Sequence, residues 1–329
     1  MSAVAARRLV PLLLGVAFTA TAQQSPKPAC DRACLEGFVD RYLDAMDADR
    51  VDPALFARDV KFTENGAQLP LGGEGLWQRM SGKGTYKFYI PDTETQQVAF
   101  IGTVREREKG QELVVALALR LRIVGGRITE VEQLAIRPEG VLTSNGERPA
   151  TRPTSTGERV EKLGAPNAVF GEVIPEVQRA SRAEMIRTAN FYFSGLQDND
   201  GKGYYPFTDD CDRYENGNHA TNVPARNPVT GQTEVLGCKK QFEVALKGVV
   251  SRVRDRRFVA VDRERGIVFA FTFFDHANIN WTWQIAELFK VENGQIRRIE
   301  AVFHRCPFGL NSGWSTFEQG MSDQARDIR

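Results

Sequence analysis

The side chains best suited to proton transfer lie in the C-terminal half of the chain. The sequence contains three histidines, His219, His276 and His304, and histidine has the unperturbed pKa closest to neutrality. We therefore predict general acid–base chemistry in this half. In the predicted site, His304 or His276 takes or donates the proton.

Other polar and aromatic residues of the same half complete the predicted site. Tyr214 or Glu215 would hold a substrate oxygen. Asp275 is a further acidic candidate, because a carboxylate among the phenylalanines of its strand would be desolvated and its pKa raised. The predicted binding residues offer flat apolar faces with a few polar tips, as small-molecule pockets do, and they are Trp281, Trp283, Asn216, His219 and Tyr205.

Each of these assignments has a structural alternative. Side chains alternate across a strand, so Asp275 and His276 point to opposite faces unless a bulge intervenes, and both could simply end a strand in solvent. The aromatic residues could be ordinary core. Asn216 could serve an Asn-Gly turn, although a turn does not explain Glu215.

Charge and motif content exclude several other classes of function. The chain has 43 Lys and Arg against 42 Asp and Glu, and a net charge of +1 gives no bulk attraction for nucleic acid or an anionic membrane. The sequence has no phosphate loop, dinucleotide fingerprint or Gly-x-Ser-x-Gly elbow, so we predict no cofactor. His276, His304 and a carboxylate could bind a metal. No two histidines have the helical i, i+4 spacing, however, and we predict no metal site.

Two amphipathic helices are predicted to support the strands that carry these residues. Apolar residues recur at three- and four-residue steps over 35–46 and again over 185–196, as on one face of a helix. Ser181 and Glu184 form a capping-box pair ahead of the second helix. An Asp-rich turn follows each helix.

The order of these features indicates an internal duplication. A Glu-Asn-Gly triplet follows each helix, at 64–66 and 151 residues later at 215–217. Hairpins are predicted at 119–136 and 286–303, with turn glycines Gly126 and Gly294 that lie 168 residues apart. The larger second offset places the extra residues of the second copy in the loop 218–237.

Composition sets the expected boundaries of the chain. Arg7 and Arg8, an apolar stretch and a small-residue cleavage site predict a signal peptide at 1–22, since the stretch is too short for a membrane anchor. No later stretch is apolar enough to span a bilayer. We expect a first domain at 23–137, a linker rich in Pro, Gly and Ser at 138–180, a second domain at 181–306, and a tail at 307–329 that wraps back over a domain.

Export changes how the five cysteines are interpreted. A periplasmic or secreted protein folds where disulfides persist, so we predict the pairs Cys30–Cys34 and Cys211–Cys238 and a free Cys306. The second bridge would pin the long loop of the second copy. None of the cysteines belongs to a Cys-x-x-Cys unit, which disfavours structural zinc or a redox motif.

A long helix, a short irregular segment and curved antiparallel strands that end in a hairpin resemble the nuclear transport factor 2-like superfamily. Residues 30–37 and 62–66 look most like a tandem member of its SnoaL-like branch. The resemblance covers roughly 30–137 and 181–305. It implies an α+β fold of two tandem cone-shaped domains, each with N-terminal helices packed on a strongly curved antiparallel sheet that wraps around a pocket.

The resemblance also implies what such a pocket can do. Enzymes of this superfamily work without organic cofactors, by placing an Asp, His or Tyr inside an apolar cavity, and other members only bind ligands. The expected function is a cofactor-independent lyase or isomerase that acts on a small aromatic or oxygenated molecule in the second domain. The alternative is a non-catalytic small-molecule-binding protein of the cell envelope. The first domain would dock on the second as an intramolecular pseudo-dimer, and a homodimer is a further possibility.

Overall fold

The computed structural model describes residues 29–138, 154–227 and 229–329. The predicted signal peptide at 1–22 and part of the predicted linker lie outside the described residues. Within the described ranges, no helix is long and apolar enough to cross a membrane.

The chain has a mixed α/β fold, with few helices and two large curved sheets. The first sheet has six strands in the order β2-β1-β6-β5-β4-β3. Its elements are α1 (Arg32–Asp47), β1 (Phe56–Glu64), β2 (Ala67–Gln68), α2 (Leu76–Arg79), β3 (Met80–Asp92), β4 (Gln97–Glu108), β5 (Gln111–Val124) and β6 (Arg127–Ile136). The α+β class predicted from the sequence is therefore confirmed.

The second sheet has seven strands in the order β15-β11-β12-β13-β14-β7-β8, and β9 pairs with β10 in a separate two-stranded sheet. A short helix, α3 (Thr156–Lys162), and two 3-10 turns (Ala168–Gly171, Glu176–Gln178) precede it. The later elements are α4 (Arg182–Leu196), β7 (Phe207–Glu215), β8 (Asn218–His219), β9 (Pro224–Arg226), β10 (Thr233–Val235), α5 (Cys238–Val244), β11 (Arg252–Asp262), β12 (Ile267–His276), β13 (Trp281–Glu292), β14 (Gln295–Pro307), α6 (Phe317–Met321) and β15 (Arg326–Asp327), with a 3-10 turn at Ala277–Ile279.

The strand after each long helix has the same register in both sheets. β1 runs parallel to β6 and β7 runs parallel to β14, so Glu64 lies opposite Gln133 and Glu215 lies opposite Ala301. The predicted hairpins are β5–β6 and β13–β14. The predicted capping box, Ser181 with Glu184, begins α4.

Each long helix covers one face of its sheet, which we call the helix face. In the second sheet, Val268, Ala270 and Phe274 lie on the helix face and pack with Phe193 of α4. The other face, which we call the inter-sheet face, carries residues such as Phe269, which packs against residues of the first sheet. The two sheets therefore bury their inter-sheet faces against each other.

A fully buried ion pair joins the two inter-sheet faces. Arg257 donates two hydrogen bonds of 2.7 Å to the two carboxylate oxygens of Glu132, and both side chains are only 2% exposed. The Nε of Arg120 lies 3.4 Å from the same carboxylate. Buried charges need this kind of geometric pairing, because each has lost its hydration.

The segment predicted as a linker contains ordered structure where it is described. Ser155 and Glu158 form a capping box that begins α3. Glu161 accepts two bonds from Arg105 of the first sheet, at 2.8 and 2.9 Å, while Arg159 donates to the Asn216 carbonyl of the second half at 2.8 Å. Composition alone missed this helix, because seven residues are too few to show a helical period.

The tail packs against both halves, which agrees with its predicted return over a domain. Trp314 Nε1 donates to Thr63 Oγ1 at 2.7 Å in the first half. β15 extends the second sheet by pairing in parallel with β11, and Arg326 is hydrogen-bonded to the buried Asp255. The tail therefore adds a further connection between the two halves.

Both predicted disulfides are present. Cys30 is bonded to Cys34 at the start of α1, and Cys211 to Cys238 between β7 and α5. Cys306 is free and buried. Two disulfides are compatible with an extracellular or periplasmic location.

We predict that Glu132→Gln will destabilise the protein by about 3 to 5 kcal/mol, because the substitution leaves the Arg257 charge buried with a weaker partner. Urea unfolding followed by circular dichroism will measure the loss. The matched control is Glu112→Gln on β5, whose side chain is 56% exposed beside Arg105 and should cost about 1 kcal/mol or less. Equal effects of the two substitutions would show that the inter-sheet pair does not hold the sheets together.

Candidate functional site

Two glutamates face each other across the helix face of the second sheet. Glu287 on β13 lies directly opposite Ala301 on β14, and Ala301 lies directly opposite Glu215 on β7. Residues that pair directly project from the same face of a sheet. Ala301, which lies between the two glutamates in the sheet, has only a methyl side chain.

An arginine and a tyrosine complete this group. Arg213 shares a face with Glu215, because the two are separated by one residue on β7, and its Nε lies 3.6 Å from Glu215 Oε1. Arg213 also donates to the hydroxyl of Tyr192 on α4 at 3.2 Å and to Gln241 Oε1 at 2.8 Å. We call Tyr192, Arg213, Glu215 and Glu287 the polar floor.

Burial strongly favours the protonated form of Glu287. The side chain is 1% exposed, and this burial, with the nearby negative charge of Glu215, raises the pKa of Glu287 to about 8, while Arg213 and Tyr192 act in the opposite direction. Its Oε2 is buried and has no hydrogen-bond partner among the described residues. The site therefore holds a carboxyl group able to give or take a proton near neutral pH.

The corresponding positions of the first sheet are apolar. By strand register, Glu287 corresponds to Leu119 and Arg213 to Phe62, and both of these residues are buried in the core of the first half. Tyr42 takes the place of Tyr192, and its hydroxyl donates to Gln133 Oε1 at 2.7 Å. Only the second half places a buried arginine and a buried carboxyl together in this position.

The glutamate common to both halves is fully engaged in the first. Glu64 accepts from the Leu76 amide at 2.8 Å, from Gln133 at 2.9 Å and from Arg137 at 2.7 Å. Arg137 also donates to Glu106 at 2.7 Å. These contacts hold Glu64 in a fixed structural network, whereas the side chain of Glu215 is 36% exposed.

Three other residues of the predicted site share the helix face with Glu215. His276 pairs directly with Trp281 across β12 and β13, and Trp283 pairs with Phe274 of the same core. The imidazole of His276 lies 4.4 Å from the Trp283 ring, centre to centre. These residues form the aromatic end of the face that carries the polar floor.

Asp275 lies on the inter-sheet face, and the predicted rise of its pKa is wrong. Burial alone would raise the pKa of Asp275, but hydrogen bonds from Arg254, Thr282 and Arg252 outweigh burial and lower it. The carboxylate accepts from Arg254 and Arg252 at 2.9 Å and from Thr282 at 2.7 Å. This arrangement is a buried ion cluster.

His304 and His276 lie on opposite faces of the second sheet. His304 lies opposite Gln284 on β13, with its Nε2 3.0 Å from Gln284 Oε1, and therefore faces the first sheet. Burial lowers the pKa of His304, and the positive charge of Arg137 lowers it further. The alternation of side chains along β14 separates His304 from the polar floor.

Tyr214 and His219 also lie on the inter-sheet face. Their rings stack at 4.5 Å, and His219 Nε2 is 2.6 Å from Asp212 Oδ1. Tyr214 lies opposite Glu300, whose carboxylate contacts Arg298 at 2.8 Å. Tyr214 and Glu215 therefore project from opposite faces and cannot hold the same oxygen.

Asn216 and Tyr205 have structural partners. Asn216 has a φ of 51° in its turn, and its side-chain oxygen accepts from the Phe303 amide at 2.8 Å, as the turn interpretation predicts. Tyr205 is buried against Phe242, and its hydroxyl donates to Asn199 at 2.9 Å. Both residues are therefore held by contacts that shape the second half.

Sequence reasoning found Glu215 but missed Tyr192, Arg213 and Glu287. The signal for Glu287 was present in β13, where Trp283, Ile285, Phe289 and Val291 alternate on the buried face and a glutamate occupies the central position. An ionisable residue in an otherwise apolar alternation marks either a paired charge or a site. Within the ranges that the structure describes, no group of three or more His, Cys, Asp or Glu could hold a metal ion.

One known family model matches the half of the chain that contains this site. Residues 178–303, from just before α4 into β14, match the family model of a domain of unknown function, DUF8021. No curated protein matches the chain. The match includes all four residues of the polar floor.

We predict that Glu287→Gln will change how stability depends on pH. The folded-state pKa of about 8 lies above the ordinary value of 4.5, so the favourable contribution of the protonated group is complete below about pH 4.5. It is lost as the pH rises toward 8, by on the order of 3 kcal/mol between pH 5 and pH 8.

Unfolding free energies measured by urea titration at several pH values will test this, with Glu74→Gln at an exposed position as the control. The Glu287 variant should gain stability relative to wild type as the pH rises, whereas the control should follow wild type. A constant difference between Glu287→Gln and wild type across this range would contradict a raised pKa.

Proposed function

We propose that the chain is a tandem of two cone-shaped domains of the nuclear transport factor 2-like, SnoaL-like type, at 23–137 and 181–306, docked as an intramolecular pseudo-dimer. The recurrent strand register supports this proposal, as does the helix that covers one face of each sheet. The inter-sheet faces, which bury an apolar cluster and the Arg257–Glu132 pair, would form the pseudo-dimer contact.

In this proposal the second domain is a cofactor-independent lyase or isomerase acting on a small oxygenated organic molecule. This proposal rests on the burial of Glu287 and Arg213. The corresponding positions of the first half are occupied by Leu119 and Phe62. A buried charged group adds little stability compared with a packed apolar one. Two ionisable residues at core positions are therefore better explained by chemistry than by folding.

The four groups of the polar floor suggest a division of roles. Glu287, protonated near neutral pH, is placed to donate a proton to a substrate oxygen, and Glu215, at the more exposed edge, to accept a proton from the substrate. Arg213 would stabilise negative charge that develops on the same oxygen. Tyr192 holds the Arg213 guanidinium in place through its hydroxyl.

The surroundings favour a compact organic ligand. Tyr192 is packed among Phe207, Phe242 and Phe289, with ring centres 5.2 to 6.4 Å away, so the polar floor lies in an apolar environment. Low polarity strengthens each charge interaction at the site and keeps Glu287 protonated. The two disulfides are compatible with the proposed periplasmic or secreted location.

Deuterium exchange tests this function even while the natural substrate is unidentified. A library of small ketones and hydroxy acids is screened by ligand-observed NMR in D₂O, and binders are followed for deuterium incorporation next to the carbonyl. Wild type should accelerate exchange for at least one binder. Glu287→Gln should slow that exchange by about 10²- to 10⁴-fold with little loss of binding, because only the proton donor is removed.

The matched control is His304→Gln, which changes an ionisable residue on the inter-sheet face. Exchange by this variant should equal that of wild type. Ligands that bind tightly to wild type but show no exchange would instead indicate a non-catalytic binding protein. Exchange that survives in Glu287→Gln would reject Glu287 as the acid.

A further inference from the structure

Four aromatic side chains lie together at the end of the helix face, beyond the polar floor. His276, Trp281, Trp283 and Phe303 form this aromatic cluster, in which Trp283 stacks on Phe303 at 4.9 Å and contacts His276 at 4.4 Å. The rings of His276 and Trp281 are perpendicular, with centres 6.4 Å apart. Glu287 and Glu215, which move protons in the proposed function, do not belong to this cluster.

The hydrogen bond of His276 fixes which of its nitrogens is free. Nδ1 lies 2.8 Å from the Val249 carbonyl oxygen, which can only accept, so Nδ1 carries the hydrogen and donates. In the neutral ring Nε2 is then a lone-pair acceptor. His276 is 5% exposed, and Nε2 is buried with no partner among the described residues.

Trp281 presents the complementary group beside it. Its Nε1–H can only donate, and this atom is also buried without a partner in the described part of the chain. The guanidinium of Arg305 covers the Trp281 ring at 3.9 Å, which fixes the orientation of the indole. Buried polar atoms of native proteins are ordinarily hydrogen-bonded. One acceptor and one donor without partners in the same cluster therefore point to a bound group that would pair with both.

We propose that the aromatic cluster binds a phenol-like ring, whose hydroxyl donates to His276 Nε2 and accepts from Trp281 Nε1. A hydroxyl both donates and accepts through one atom, and Trp283 and Phe303 offer the flat surface against which its ring packs. The inference rests on the proposed function in that it assigns the phenol-like ring to a ligand bound on the same face of the second sheet as the polar floor.

The aromatic cluster lies on the same sheet face as Glu287, with the buried Ile285 between them on β13. Trp283 precedes Glu287 by four residues on β13, whose register with β12 is unbroken along its length, so both lie on one face. At about 3.3 Å per residue, about 13 Å separates them along the strand. The ligand class proposed for this cluster is a hydroxylated aromatic ring, recognised apart from the groups at Glu287 and Arg213.

A matched series of probes tests the subsite directly. Phenol can donate and accept, anisole can only accept, and toluene can do neither, while all three have similar size. Titrations of the full protein, followed by tryptophan fluorescence and by the ¹⁵N shift of His276, should show phenol binding about tenfold more tightly than anisole or toluene, since those two leave Nε2 unpaired.

Two conservative variants and one control locate the effect. His276→Phe and Trp281→Phe each retain an aromatic ring but remove one polar partner, so the preference for phenol should fall to about twofold or less. His304→Gln, on the opposite face, should keep the tenfold preference. Equal binding of the three probes to wild type, or a preference that survives both aromatic variants, would overturn the subsite.

The Glu287→Gln variant distinguishes this inference from the proposed function. It should bind phenol as wild type does, because Glu287 lies outside the aromatic cluster. Loss of exchange chemistry with retained phenol preference supports both proposals. If wild type prefers phenol but catalyses no exchange, the proposed enzymatic function is rejected and the phenol subsite is retained. If wild type catalyses exchange but shows no preference for phenol, the subsite is rejected and the enzymatic function is retained.

Discussion

The contact between the two sheets, with the Arg257–Glu132 pair at its centre, is the constraint from which the rest of the structure follows. Two hydrogen bonds of 2.7 Å hold opposite charges beside an apolar cluster in this contact. A mispaired sheet would leave both charges buried without partners, which is far more costly than the loss of apolar contact. The pair therefore specifies how the sheets align as much as it holds them together.

This contact decides which side chains of the second half face away from the first sheet. One face of each sheet is used to cover the other sheet, so the side chains on that face serve the contact between the two halves. His304, Tyr214 and His219 are ionisable and lie in the right half, yet they project toward the contact. Glu287, Arg213 and Glu215 project the other way, where α4 and α5 surround them with aromatic rings and a carboxyl group keeps its proton near neutral pH.

The elements with strong local signals were predicted well from the sequence. The apolar period of α4, its Ser181 cap, the hairpins and both disulfides follow from short-range patterns, and the alternation of Asp275 and His276 follows from strand geometry. The site was harder to predict. Strand alternation shows which residues share a face, but not which of the two faces packs against the other sheet. Arginines distant in sequence reversed the expected pKa shift of Asp275, and no local pattern could reveal them.

The Arg257–Glu132 ion pair has no equivalent formed by the corresponding residues of the two halves, and this has an evolutionary consequence. By strand register the counterpart of Glu132 is Glu300, which contacts Arg298 of its own strand and the hydroxyl of Tyr86 in place of an arginine from the other half. Two identical subunits related by a twofold axis would have to repeat every contact twice. Covalent fusion of the proposed duplicates removes that requirement, so each copy can accept substitutions that the other does not share. One copy is then free to become a permanent scaffold while its twin diversifies.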